Sequence, residues 1–90
     1  MNKTKGEFTI KNQLGLHARA AASFVKIANR FSAEIIVSKD TTKVNGKSIM
    51  GVLMLAAAKG MVINIEIIGD DAEEALEALA NLIENKFGEE

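Results

Sequence analysis

The chain has 90 residues, close to the size at which one hydrophobic core sustains a fold by burying about 60% of the unfolded surface. Eleven Lys and Arg against twelve Asp and Glu leave a formal net charge of −1, too weak a field to argue for nucleic acid or an anionic membrane, and the four Phe without Tyr or Trp offer no stacking platform for single strands. The absence of Cys excludes disulfides, zinc–thiolate sites and Cys nucleophiles, and it fits a reducing cytoplasm. MNKTKGEF lacks the apolar segment of a leader peptide, and the most apolar region, 49–68, is interrupted by Lys59, Gly60, Asn64 and Glu66. One domain over residues 1–90, cytoplasmic and with no membrane insertion, is expected.

Residues 7–11 (EFTIK) alternate polar and apolar, which predicts a strand burying Phe8 and Ile10. After Gly15 the period changes: Ala21, Phe24, Val25, Ala28 and Phe31 recur at three-four spacing, so 18 to about 30 reads as a helix with one buried stripe. Residues 34–39 (EIIVSK) are rich in β-branched side chains and predict a strand, joined through a turn at Asp40-Thr41 to a short one over 42–45. Residues 48–59 (SIMGVLMLAAAK) predict a helix, closed by a lysine in the last turn and by Gly60. Residues 61–68 (MVINIEII) form a further strand with Ile63, Ile65 and Ile67 on one face and Asn64 and Glu66 on the other.

The last helix opens on Asp70 with Glu73 three residues later, the spacing of a capping box, and its stripe runs Ala72, Ala75, Leu76, Leu79, Ala80, Ile83 up to Gly88. The order is β-α-β-β-α-β-α. Strands with one apolar face and helices with one apolar stripe satisfy each other in two layers. The expected fold is α+β, a four-stranded antiparallel sheet covered by three helices on one face.

Two residues carry candidate chemistry. His17, in LGLHARAAASFVK, stands where a helix usually opens on Ser, Thr, Asp or Asn. An imidazole is largely free base at neutral pH and nucleophilic. At a helix start it faces the free N–H groups of Ala18, Arg19 and Ala20, which suit an anion, and Arg19 offers a guanidinium. A phosphoryl group on His17 would be cradled there. By local chemistry alone, a surface histidine and a phosphoryl acceptor stand equally open. With one His and no Cys, no metal set is expected, and no nucleophile-elbow motif supports a hydrolase. Ser48 reads first as a plain N-cap before its apolar helix, a role compatible with phosphorylation at the positive end of the dipole.

LGLHARAAASFVK followed by NGKSIMGVLMLAAAKG resembles the HPr family, the histidine-containing phosphocarriers of the bacterial phosphoenolpyruvate-dependent phosphotransferase system. The resemblance spans essentially the whole chain. It implies an open-faced β-sandwich and a carrier that is not itself an enzyme and needs no cofactor. By this resemblance His17 is phosphorylated on Nδ1 by phospho-enzyme I and then gives the group to an EIIA-type acceptor, with Arg19 attending the phosphate. Ser48 matches the regulatory serine of HPr kinase/phosphorylase, and Ile49, Met50 and Leu53 match the apolar surface on which partners dock.

A monomer is expected, with a transcriptional regulator as a further possible partner. The sequence departs from the family motif His-Ala-Arg-Pro at one place: Ala20 stands where proline is usual. That restores a free amide near the phosphate and opens an alternative, a regulatory paralogue acting mainly as a phosphorylation-dependent binding module.

Overall fold

A computed structural model describes residues 2–89. The elements are β1 (Lys3–Thr9), α1 (Ala18–Ala28), β2 (Glu34–Lys39), β3 (Thr42–Asn45), α2 (Ile49–Met54), β4 (Val62–Ile68), α3 (Ala72–Glu84) and a 3-10 turn over Lys86–Gly88. The strands form one antiparallel sheet in the order β1-β4-β2-β3, and α1, α2 and α3 lie on a single face, so the expected open-faced sandwich is present. No helix is long and apolar enough to cross a membrane.

The period-2 pattern of β4 sets the core. Ile63, Ile65 and Ile67 are fully buried, and the register places Val37 beside Ile65 and Ile35 beside Ile67 on the same face. Phe24 of α1, Val52 of α2, and Leu79 and Ile83 of α3 close over them, also fully buried. The opposite face is polar. Lys5 pairs with Glu66 and Glu7 with Asn64, and the Lys3 ammonium lies 2.9 Å from the Glu66 carboxylate. The hydrogen bond from Lys3 holds Glu66 below the usual carboxylate range against partial desolvation, helped by the charges of Lys3, Lys5 and Lys43.

Three boundaries differ from the sequence reading. β1 starts at Lys3, four residues early, and ends before Ile10, which is buried just beyond it. Its first half, Lys3 to Gly6, has no large apolar residue to mark the alternation, and the antiparallel ladder to β4 fixes it instead. α2 stops at Met54: Leu55 and Ala56 turn back by three-residue hydrogen bonds to Val52 and Leu53, and Ala56 takes a left-handed φ of 48°. The run of alanines that favours a longer helix is overridden because Ala57 O accepts from Leu16 N–H in the loop before α1.

The start of α3 also differs. The residue before its first turn is Asp71, not Asp70, and its carboxylate makes no bond to its own helix. It accepts instead from the backbone amides of Ser32, at 2.9 Å, and Ala33, at 3.0 Å, tying α3 to the entrance of β2. The Ser32 amide is the main reason that Asp71 sits below the ordinary carboxylate range, with the Ala33 amide working the same way and desolvation opposing both. A carboxylate lowered on folding stabilises above its unfolded value of about 4, and that contribution falls away as pH drops toward the folded value. Asp71→Asn keeps one acceptor and turns an N–H₂ toward an amide donor. Its urea midpoint at neutral pH should fall below that of the parent, and the gap should narrow below about pH 4.

Candidate functional site

His17 is the N-cap of α1, with φ −78° and ψ 178°. Its carbonyl accepts the first helical bond, from Ala21 N–H at 2.8 Å, but its ring makes no capping bond. The first-turn amides of Ala18, Arg19 and Ala20 therefore receive nothing from the residue that usually serves them. Ala18 and Arg19 are exposed, whereas Ala20 is buried, its methyl group turned into the core.

The loop before His17 is fixed from two sides. Leu16 is buried, and its N–H donates to Ala57 O at 2.9 Å, which joins this loop to the segment leaving α2. Gly15 has φ +66° and lies so close to that segment that a Cβ would sit 2.5 Å from Ala57 O. Only glycine meets both conditions without strain. Asn12, fully buried, donates from Nδ2 to Gly15 O at 2.7 Å.

The ring of His17 turns to the C-terminus, where its Nε2 lies 2.5 Å from Glu89 Oε2. The other carboxylate oxygen, Oε1, accepts from Asn12 Nδ2 at 3.2 Å, and the Leu14 amide also points to this group. Hydrogen bonding from His17 chiefly keeps Glu89 below the usual carboxylate range, with the Asn12 and Leu14 bonds acting in the same sense and desolvation opposing them. Oδ1 of Asn12 is buried without a partner.

Reaching this point takes an unusual backbone. Lys86 and Phe87 both have φ of 56° and Gly88 has 79°, so three successive left-handed residues reverse the chain after α3. Such a conformation costs a non-glycine residue about 1–2 kcal/mol. Phe87 offsets this by burying its ring in the core, and the turn is closed by Gly88 N–H to Asn85 O and Glu89 N–H to Lys86 O. Asn12 and Glu89 are the functional candidates that sequence reasoning misses. Gly88 is the only local sign of the turn.

Ser48 is the N-cap of α2, and its Oγ accepts from Gly51 N–H at 3.0 Å. In the first turn Ile49 and Met50 are 43% and 69% exposed, while Leu53 is half-buried against the core. Two apolar side chains missed in the sequence join the exposed set: Leu14 in the loop before His17 and Met54 at the end of α2, 68% and 71% exposed. α1 and α2 pack on each other, and the Leu16–Ala57 bond brings the His17 loop to the segment leaving α2. Among the described residues no group of three His, Asp or Glu could hold a metal ion.

The four-stranded sandwich, covered by helices on one face and open on the other, is the fold of the HPr-type phosphocarriers. The profile "PTS HPr component phosphorylation site" matches residues 4–85. The phosphocarrier protein HPr of Neisseria meningitidis is 53% identical over 85 residues, covering 94% of this chain and 96% of that relative. Among solved structures, HPr of Thermoanaerobacter tengcongensis superposes with a TM-score of 0.93 at 53% identity, over 97% of this chain and 98% of that one. Bacillus subtilis Crh, a catabolite repression HPr described as a swapped dimer, gives 0.75 at 42% identity over 88% and 91%. The chain belongs to the HPr family, the phosphocarriers of the phosphotransferase system.

Removing the cap of α2 isolates the structural share of Ser48. Ser48→Ala should cost about 0.5–2 kcal/mol of unfolding free energy, read by urea denaturation, and leave the fold unchanged by circular dichroism.

Proposed function

We propose that His17 is the phosphoryl acceptor and that the protein relays the group between two proteins. What carries this reading is the uncapped helix start: the ring of His17 leaves the amides of residues 18–20 without a side-chain acceptor. The Nδ1 lone pair attacks the phosphorus held by phospho-enzyme I. The Nδ1–P bond forms as the donor's bond to phosphorus breaks, and the electron pair returns to the donor. In the second step a nucleophile on an EIIA-type acceptor attacks the same phosphorus, and the Nδ1–P pair returns to the imidazole.

The amides of Ala18, Arg19 and Ala20 and the guanidinium of Arg19 offset the charge of the phosphoryl oxygens. Ile49, Met50 and Leu53, joined by Leu14 and Met54, supply the docking surface. Both half-reactions lie between proteins, so positioning and charge stabilisation suffice. The chain acts as one domain, a cytoplasmic monomer without a cofactor and without catalytic turnover of its own.

Incubation with phosphoenolpyruvate and enzyme I should place one acid-labile phosphate on the wild-type protein and none on His17→Ala. An acid-labile label on the variant would reject His17 as acceptor.

A second reading gives the chain a regulatory role, as a docking module set by Ser48. It is favoured by the position of the Ser48 hydroxyl one residue before the exposed Ile49 and Met50. Phosphorylation by HPr kinase/phosphorylase would put a dianion at the edge of an apolar contact surface and alter binding to enzyme I or a transcriptional regulator without changing the fold. Ser48→Asp should weaken binding to enzyme I about tenfold or more by titration calorimetry, with an unchanged far-ultraviolet spectrum. Equal affinity of the two proteins would remove this reading.

A further inference from the structure

We propose that Glu89 is a positioning residue for His17: its carboxylate holds the ring proton on Nε2 and turns the bare Nδ1 toward the start of α1. The phosphoryl-transfer part of this rests on the carrier reading above, while the tautomer does not. An ionised carboxylate only accepts hydrogen bonds, so with Glu89 Oε2 2.5 Å from Nε2 the proton belongs to that nitrogen. The neutral ring then has its lone pair on Nδ1, the atom that must attack phosphorus.

The carboxylate is itself held in place. Oε1 takes a bond from the buried Asn12 amide, and Asn12 donates at the same time to Gly15 O, two residues before His17. One side chain thus ties the C-terminus to the loop that carries the acceptor. The buried, unpartnered Oδ1 of Asn12 is the corollary: its amide group is oriented by the two acceptors on Nδ2, not by its oxygen. The left-handed turn through Lys86, Phe87 and Gly88 and the buried Phe87 ring aim Glu89 at this point.

The same contact serves the product. Once phosphorus occupies Nδ1 and the proton stays on Nε2, both ring nitrogens are substituted and the ring is cationic. Glu89 is then its counter-charge on the edge away from the phosphoryl group. A cationic ring is the better leaving group, so the carboxylate keeps the phosphoryl group transferable to the next protein.

The test compares wild type, Glu89→Ala and Glu89→Gln, with the side-chain nitrogens of His17 labelled with ¹⁵N and the proteins unphosphorylated. Wild type should show a slowly exchanging Hε2 resonance and a bare-nitrogen shift at Nδ1. Glu89→Ala should lose the Hε2 resonance and draw the two nitrogen shifts together. Its kcat as a substrate of enzyme I should fall about tenfold with KM little changed. Glu89→Gln, whose carbonyl still accepts from Nε2–H but whose N–H₂ faces the Asn12 donor and carries no charge, should restore the Hε2 resonance and only part of the rate.

A Glu89→Ala protein with the wild-type nitrogen spectrum and kcat would overturn the proposal. A wild-type protein that shows the expected spectrum yet takes no phosphate would overturn the carrier reading and still support the Glu89 assignment.

Discussion

One backbone hydrogen bond, from Leu16 N–H to Ala57 O at 2.9 Å, organises the side of the molecule where the candidate chemistry lies. It joins the segment entering α1 to the segment leaving α2, and several local features answer to it. Ala57 must present a carbonyl to another part of the chain, so α2 ends at Met54 despite the helix-forming residues that follow. Gly15 must pass within van der Waals distance of that carbonyl in a left-handed conformation, so no side chain is tolerated there. His17 follows two residues later, next to the Leu16 amide that makes this bond. Backbone contacts of this kind place the loop that carries His17, and the side chains of Asn12 and Glu89 then place its ring.

The parts of the fold legible in the sequence are those governed by a strict period. β4 alternates Ile with polar residues, and all three of Ile63, Ile65 and Ile67 are fully buried. α1 and α3 bury most of their predicted stripes for the same reason, with Phe31, Leu76 and Ala80 only half-buried, and the β2–β3 hairpin follows from a short β-branched run and a turn residue, Asp40, with φ 55°. The failures share a cause too. The first half of β1, the end of α2 and the true role of Asp71 all depend on a partner distant in sequence, which neither propensity nor periodicity records.

The candidate site divides along the same line. His17 and Ser48 announce themselves because each stands at a helix start, and the structure gives both the N-cap position. They differ in what their side chains do there. Ser48 caps in the ordinary manner, with its Oγ on the Gly51 amide. Ile49 and Met50 were legible as apolar residues at a first turn, whereas Leu14 and Met54 join them only through the packing of α1 against α2. Asn12 and Glu89 were not legible at all. They are separated by 77 positions and meet because three left-handed residues turn the C-terminus inward.

The contrast between the two caps explains why an imidazole opens α1. A short oxygen side chain at residue 17 would satisfy the first-turn amides from within, as Ser48 does for α2, and so occupy the place an incoming anion needs. An imidazole whose Nε2 meets a carboxylate makes no bond to those amides and leaves them available. That arrangement needs an acceptor outside the helix, fixed in position, and the chain supplies it from its far end. Phe87 gives the C-terminal turn a hold in the core, and Asn12 ties its carboxylate to the loop carrying His17. The helix start is thus kept open by contacts made elsewhere in the chain, and what is unusual about residue 17 as a cap is what leaves its first-turn amides free of a side-chain acceptor.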